Sequence, residues 1–362
     1  MQSYLFKTIK PLLKSFFLLF FLSSLTGCTV WKPLRHSSDP SLKQLPDFYQ
    51  HYYDYPRPSL EHVIISQEET DSYILKKIEF PLSLPPDLAF KDLEDFKKKV
   101  EAISINDKKT AGDLKLRYLN RVDYYLPKNL KPGDKRPVIL ISPILGGNMV
   151  VDHFAKYYAG RGYVAAIVYR KRTFWEDESD KKDTQQVEDY LRTSVIRLRQ
   201  SLDWLQAQPE VDKDRIGAFG ISYGAILHSV LAAVDSRGKY HVLAMPAAPL
   251  ADVIMHCPDK AITKLVKHVH QNYGWTHEQI YQDLQKTIKT DPIYFASHIQ
   301  KENVQIYVAA FDRVVGAGRS FGLWKAMGKP ALKILPFGHY GGILVFPYLQ
   351  TQSYLAFKKH LK

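Results

Sequence analysis

The strongest constraint on the fold is an alternation of short apolar runs with longer helical patterns across the middle of the chain. Residues 137–142 and 163–169 are near-continuous apolar segments, which are typical of strands buried on both faces of a sheet. Residues 184–207 instead carry their apolar side chains at helical spacing. Strands that alternate with helices predict βαβ units, and therefore an α/β fold with a mostly parallel sheet.

The rest of the chain continues this alternation of strands and helices. Further strands are predicted at 62–66, 73–80, 114–126, 215–219, 241–245, 304–310 and 331–335, and helices at 223–234 and within 350–361. Residues 252–290 interrupt this alternation of strands and helices, and they are richer in helix formers and histidines. We predict that this segment is a helical cap or lid over the functional site.

The second constraint is the pentapeptide Gly220-Ile221-Ser222-Tyr223-Gly224, which stands between a predicted strand and a predicted helix. A serine on such a tight turn projects its hydroxyl above the edge of the sheet, and the glycines allow the strained turn. The helix N-terminus behind Ser222 also favours a developing negative charge. The motif therefore predicts a serine nucleophile.

A serine nucleophile needs a base, and the base needs an acid that orients it. Asp312 follows the predicted strand 304–310, and His339 lies in a glycine-rich loop after the last predicted strand. A carboxylate just past the end of a strand is well placed to orient a histidine. We predict Ser222, Asp312 and His339 as the catalytic residues.

Residues from about 114 to 361 resemble an α/β-hydrolase of the dienelactone-hydrolase and prolyl-oligopeptidase-like branch, because the three motifs occur in that family's order and strand contexts. The resemblance implies an α/β-hydrolase fold in which Ser222 is the nucleophile and His339 acts as general base and then as general acid. It implies that Asp312 fixes the tautomer of the histidine. Dienelactone hydrolases have a cysteine at the nucleophile position, so Ser222 favours ester chemistry of the serine-hydrolase kind.

The resemblance also implies an oxyanion hole made of two backbone N–H groups. Tyr223, the residue after the nucleophile, is expected to supply one of them. The other is expected from the turn after strand 137–142, where the family often has His-Gly. Aligning the Gly146-Gly147 pair makes the N–H of Leu145 the second donor, with Ile144 as the fallback.

Residues 1–27 have the pattern of a bacterial lipoprotein signal peptide, in which a positively charged start precedes an apolar run at 16–22. That run is too short to span a bilayer. Leu25-Thr26-Gly27-Cys28 then resembles a lipobox, whose cysteine is acylated and becomes the first residue of the mature chain. The alternatives are an ordinary signal peptide and an uncleaved anchor. The charged residues of this start are Lys7, Lys10 and Lys14.

Residues 28–58 contain several prolines, and we predict a tether or an arm that wraps the domain, followed by a catalytic domain at 59–362. The predicted location is the bacterial cell envelope. Thr29 after the cysteine favours the outer membrane over the inner one. Acylation of Cys28 would leave Cys257 as a free thiol without an intramolecular partner.

Composition excludes several classes of protein. With 45% hydrophobic and 13% aromatic residues the chain can close a core, so it is not disordered. Two cysteines cannot make a disulfide scaffold. The net charge of +13 permits a nucleic acid or an anionic membrane as partner. No nucleic-acid motif is present, and proximity to a membrane surface or a basic proteome explains the charge better than a nucleic acid does.

Other candidate sites are weaker. His256, His268, His270 and His277 do not form a ligand pattern, so no metal and no cofactor are predicted. The cluster Arg170-Lys171-Arg172 follows a predicted strand near the expected cleft. It could bind an anionic substrate group, but a salt-bridged surface cluster facing the acidic residues at 176–178 is favoured.

The sequence thus predicts a lipid-anchored serine hydrolase, of which a carboxylesterase acting on a small ester through a Ser222 acyl-enzyme is favoured. A peptidase or a thioesterase with the same triad remains an alternative, as does a non-catalytic binding protein of the same fold. Acyl specificity and oligomeric state are not indicated by the sequence.

Overall fold

The computed structural model describes residues 45–89, 92–104, 107–171 and 181–362, all within one compact unit. The predicted signal peptide and Cys28 lie outside the described residues. A nine-stranded sheet forms the centre of the unit. Its strands are β1 (Val63–Glu69), β2 (Tyr73–Pro81), β3 (Leu119–Pro127), β4 (Arg136–Ser142), β5 (Val164–Val168), β6 (Val211–Ile221), β7 (Tyr240–Ala244), β8 (Val304–Ala309) and β9 (Ala331–Leu335).

Twelve helices are described besides short 3₁₀ turns. They are α1 (Asp47–Gln50), α2 (Leu93–Ser104), α3 (Lys108–Lys115), α4 (Met149–Ala159), α5 (Asp183–Gln206), α6 (Tyr223–Val234), α7 (Leu250–His256), α8 (Lys260–Tyr273), α9 (His277–Thr287), α10 (Pro292–Phe295), α11 (Ala317–Ala326) and α12 (Gly342–His360).

The strand order is β1-β2-β3-β5-β4-β6-β7-β8-β9. The first three strands pair antiparallel, and β3 also pairs antiparallel with β5. All pairs from β5 to β9 are parallel. This confirms the predicted α/β class. Because parallel strands end at the same edge of a sheet, the loops that follow β4, β6, β8 and β9 meet there.

Helices cover both faces of the sheet. The strands β4, β5 and β7 are buried along nearly their whole length, which explains their continuous apolar sequence. Apolar residues of α5 and α6 pack on one face, and those of α4 and α12 pack on the other. Two hydrophobic layers therefore hold the strand ends, and the loops on them, in fixed positions.

One predicted strand begins later than expected. The sequence predicts an extended chain over residues 114–126, but Leu114 and Lys115 end helix α3, and β3 starts at Leu119. A buried arginine of α5, Arg197, accounts for this, because its guanidinium donates hydrogen bonds to the carbonyls of Leu116 and Leu119 and so fixes the intervening turn. This long-range contact has no local sequence signal.

The described part of the predicted tether, residues 45–58, packs against the domain as an arm. Tyr53 is buried and donates to Thr290, while Tyr52 donates to the carboxylate of Glu188 on α5. Glu188 also accepts from the backbone N–H of Thr290. The arm, helix α5 and the end of the segment 252–290 are thereby joined at one buried carboxylate.

The segment 252–290 lies between β7 and β8 and contains most of α7 with α8 and α9. Apolar residues of these helices join the core layer that contains α5 and α6. In the part of the chain that the structure describes, no helix is both long enough and apolar enough to cross a membrane.

Candidate active site

Ser222 lies at the turn between β6 and α6 and is one of three described non-glycine residues with a positive φ angle, +54°. Neighbouring glycines make this strained turn possible. A Cβ atom on Gly220 would lie 2.4 Å from the backbone of Gly224, and one on Gly224 would lie 2.5 Å from the carbonyl oxygen of Ser142. The serine is held by its own N–H, which donates to the carbonyl of Ala244 at 2.8 Å. Its hydroxyl is therefore fixed at the sheet edge.

The structure brings Ser222, Asp312 and His339 together, although they follow three different strands. Nε2 of His339 lies 2.9 Å from Oγ of Ser222, and Nδ1 of His339 lies 2.7 Å from Oδ2 of Asp312. These distances are within hydrogen-bonding range for a nucleophile, its base and the orienting acid. The arrangement can therefore accept the serine proton at Nε2 while Nδ1–H remains bound to the carboxylate.

Asp312 is held as a carboxylate by its surroundings. Burial raises the pKa of this group, but the hydrogen bond and charge of His339 and the N–H groups of Val315 and Val314 outweigh burial, so its pKa is lowered. Both N–H groups donate to Oδ1, at 3.0 and 2.9 Å, which leaves Oδ2 for the histidine. An ionised Asp312 fixes the ring of His339 in the orientation that catalysis requires.

The predicted oxyanion donors lie around the same serine. Tyr223 is the first residue of α6, where backbone N–H groups have no intrahelical acceptor. Leu145 and Ile144 belong to the loop after β4. Because β4 pairs with β6, this loop lies beside Ser222, which follows β6. All three residues line one cavity with Ser222 and His339. The structure thus places both predicted donor segments at the nucleophile.

The cavity is about 230 Å³ in volume and is lined almost entirely by apolar side chains. It reaches from the triad to the cap, whose helices α7 and α8 supply part of its wall. Asp259 is the one acidic side chain among the described residues that line the cavity. Its carboxylate caps α8 by accepting from the N–H of Ala261, and it accepts from the hydroxyl of Tyr340. The wall residues from α7, α8 and the chain between them are Leu250, Val253, Ile254, Cys257, Ile262 and Leu265.

Arg170 differs from its predicted place in a surface cluster. The side chain is buried, with 8% of the residue exposed, and its guanidinium binds backbone carbonyls of the loop after β4. Arg172 and residues 176–178 lie outside the described residues. In the sequence, Arg170 follows a strand near the predicted cleft, but no local pattern signals that a neighbouring loop covers its side chain.

Cys257 is a buried free thiol in the wall of the cavity, and burial raises its pKa. A thiol with a raised pKa is a poor nucleophile at neutral pH. The cap histidines make local contacts, such as that of His270 with the carbonyl of Trp275 and that of His256 with the carbonyl of Asp252. No metal-binding group of three His, Cys, Asp or Glu side chains occurs among the described residues.

Comparison with known proteins gives a family match and a fold match. The sequence model of the X-Pro dipeptidyl-peptidase (S15) family matches residues 117–304, just over half of the chain. A polyketide transferase, claH, from Penicillium crustosum is 26% identical over 141 residues, which cover 37% of this chain and 43% of that protein. The chain therefore spans less than half the length of that relative.

Two solved structures share the architecture. An acetyl xylan esterase from Paenibacillus sp. R4 has a TM-score of 0.62 at 14% identity, over 90% of this chain and 100% of that one. Acetyl xylan esterase 1 from Thermoanaerobacterium sp. JW/SL YS485 has a TM-score of 0.59 at 15% identity, over 85% and 94% of the two chains. At such identities the likeness establishes the fold, which is that of an α/β-hydrolase.

Proposed function

The chain belongs to the X-Pro dipeptidyl-peptidase (S15) family of serine hydrolases, and within that family we propose that it is a carboxylesterase for esters with an apolar acyl group. The observation that carries the proposal is the apolar cavity that begins at Ser222 and extends to the cap. Such a cavity can bury an acyl chain, and burial of each methylene contributes about 0.8 kcal/mol of binding free energy.

The proposed reaction follows from the site geometry. Oγ of Ser222 attacks the ester carbonyl while Nε2 of His339 takes its proton, and the N–H groups of Tyr223 and Leu145 bind the oxyanion. The C–O bond to the alcohol breaks, and the alcohol leaves with the proton from His339. A water molecule, deprotonated by His339, then attacks the acyl-enzyme and releases the carboxylic acid and Ser222.

A dipeptidyl peptidase is the second candidate, and family membership favours it. Such an enzyme must recognise the free ammonium group of a peptide, which requires an accessible carboxylate. Asp259 is the one acidic side chain among the described lining residues, and most of the wall around it is apolar. The cavity therefore supports an acyl group better than a charged peptide terminus.

The test is turnover of a substrate panel by the wild-type protein and Ser222→Ala. The panel contains p-nitrophenyl esters from acetate to decanoate, alanyl-prolyl p-nitroanilide and an acyl-CoA thioester. The proposal expects Ser222-dependent turnover of the esters, with a preference for medium chains. Preferred cleavage of the anilide would favour the peptidase, and preferred cleavage of the thioester a thioesterase. A lack of Ser222-dependent labelling by a fluorophosphonate would favour a non-catalytic binding protein.

We further propose that Cys28 carries a lipid anchor, which holds the enzyme at a bacterial envelope membrane. The lysines, apolar run and lipobox of residues 1–28 support this. Two or more acyl chains give a stable anchor, whereas one chain alone is marginal. Metabolic labelling with an alkyne palmitate should label the wild-type protein and Cys257→Ser but not Cys28→Ser. Equal labelling of all three proteins would contradict the anchor.

A further inference from the structure

Arg170 lies two residues past the end of β5, beside the loop after β4. Because β4 and β5 are parallel neighbours, both segments leave the sheet at the edge that carries Ser222. The proposed reaction gives this side chain no role. Its position between a predicted oxyanion loop and the nucleophile helix raises the question of what a buried cation does there.

The guanidinium contacts both segments that are proposed to bind the oxyanion. One terminal nitrogen donates to the carbonyl oxygen of Ile144 at 2.9 Å and to that of Leu145. The guanidinium carbon lies 5.3 Å from the centre of the Tyr223 ring, within the range of a cation–π contact. One side chain thus spans the loop after β4 and the start of α6.

The other terminal nitrogen fixes the guanidinium itself. It donates to the hydroxyl of Tyr190 at 2.8 Å and to the carbonyl of Lys171 at 2.9 Å. Tyr190 in turn donates to the same carbonyl, and its ring lies 5.9 Å from the ring of Tyr223. Tyr190 belongs to the long buried helix α5, so the orientation of the arginine is set by the core.

Peptide geometry converts these carbonyl contacts into an orientation of N–H groups. A trans peptide is planar, and its carbonyl oxygen and the following N–H point in opposite directions. The carbonyl of Ile144 faces Arg170, so the N–H of Leu145 faces away from Arg170. Likewise, the carbonyl of Leu145 faces Arg170, so the N–H of Gly146 also points away from Arg170. The guanidinium charge of Arg170 lies at the carbonyl oxygen, which is the negative end of the peptide dipole. The positive end of that dipole is the N–H group that would meet an oxyanion.

We propose that Arg170 is a positioning residue, which fixes the loop 144–146 so that its backbone N–H groups are preorganised for the oxyanion. This inference rests on the proposed function. Among the described residues, no carboxylate forms an ion pair with Arg170, so its charge is compensated there by carbonyl and hydroxyl oxygens. Such a buried charge is a costly way to gain stability alone. Its geometry serves the loop instead.

The test compares Arg170→Met with Arg170→Lys on the best p-nitrophenyl ester. Loss of one oxyanion donor lowers kcat about 10²- to 10³-fold, and a displaced donor should lower it about 10- to 100-fold. We expect Arg170→Met to lose this much in kcat and in the rate of fluorophosphonate labelling. KM should change less than about three-fold, because the oxyanion forms in the transition state and not in the bound substrate. Arg170→Lys keeps a charged donor and should recover part of the loss in kcat. It also replaces Arg170→Met as the test variant if the methionine variant does not fold.

Arg197→Met is the matched control. Arg197 is likewise buried, and it donates to the carbonyls of Leu116 and Leu119, but it does not line the cavity. Both methionine variants should lose stability, and only the change at Arg170 should lower kcat per folded molecule. Equal kcat in wild type and folded Arg170→Met, or an equal loss in Arg197→Met, would overturn the inference. If fluorophosphonate still labels Ser222 of the wild-type protein, the proposed function stands even when the role of Arg170 fails. A wild-type protein that is not labelled would overturn both the proposed function and the role of Arg170.

Discussion

Nε2 of His339 lies 2.9 Å from Oγ of Ser222, although 117 residues separate them in the chain. The contact exists because β6 and β9 belong to one parallel array and end at the same edge of the sheet. A slip in the pairing register of the sheet would shift the loop that carries one partner relative to the other. The geometry of the triad is therefore a property of the whole sheet.

Asp312→Asn should lower kcat about 10³- to 10⁴-fold with little change in the fold, because the amide can hold His339 in the wrong tautomer. The measurement is ester turnover, with circular dichroism as the check on folding. Residual activity above about a tenth of wild type would contradict the assigned role.

Asp259→Asn is the matched control for this substitution. It changes another carboxylate that lines the cavity, and asparagine caps a helix as well as aspartate does. An esterase should keep its activity to within about three-fold, since an apolar acyl group does not interact with this charge. A large loss confined to alanyl-prolyl p-nitroanilide would instead favour the peptidase.

The positions of the buried strands could be predicted from the sequence because burial on both faces leaves a continuous apolar run. The strands β4 to β9 each overlap the predicted segment, and helix α6 has the predicted ends. The helices α2 and α3 were not predicted. Both are rich in charged residues, and α2 buries only Val100, so their sequences carry few apolar residues and give a weak helical signal.

The candidate site also contains residues that could be predicted from the sequence and one whose role could not. Ser222, Asp312 and His339 could be predicted because each follows a strand, and strand ends are visible in the sequence. The role of Arg170 could not, because its partners Ile144 and Tyr190 lie 26 and 20 residues away and bind it through a carbonyl and a hydroxyl. Backbone carbonyls carry no sequence signature.

Gly224→Ala should destabilise the fold by about 1–3 kcal/mol and lower activity. The added Cβ would lie 2.5 Å from the carbonyl oxygen of Ser142, so helix α6 must move away from β4 and carry Ser222 with it. Urea unfolding and ester turnover measure the two effects. Gly322→Ala in α11 is the control, since nothing lies within 4 Å of the added atom and alanine favours a helix by up to about 1 kcal/mol. Equal behaviour of the two variants would contradict the close approach.

Asp291 should make the protein more stable as the pH falls from about 7 to about 4. Burial raises the pKa of this carboxyl group to about 6, against about 3.9 in an unfolded chain. The folded state therefore binds a proton that the unfolded state releases. Its contribution is fully present below about pH 4 and is lost as the pH rises through about 6.

Asp291→Asn should remove this contribution, which amounts to about 3 kcal/mol between the two limits. The measurement is the difference in free energy of unfolding between wild type and variant at several pH values, so that other titrating groups cancel. For Asp235→Asn, the difference in free energy of unfolding between wild type and variant should change with pH in the opposite direction. Burial tends to raise the pKa of Asp235, but its contacts with Arg237 outweigh burial and lower it. A wild-type minus variant difference that does not change with pH at Asp291 would contradict the assignment.

Ile262→Trp should shorten the acyl cavity. Ile262 projects from α8 into the cavity wall, and an indole in its place takes volume that a long acyl chain would occupy. We expect kcat/KM for p-nitrophenyl octanoate to fall at least about ten-fold, while that for the acetate stays within about three-fold, since a two-carbon acyl group does not reach the cap. Ile280→Trp is the control, because Ile280 is buried in the same cap on α9 but does not line the cavity. It should lower stability without changing the ratio of the two rates. If both variants shift the ratio equally, the cap acts through its overall packing, and the acyl chain does not lie against α8.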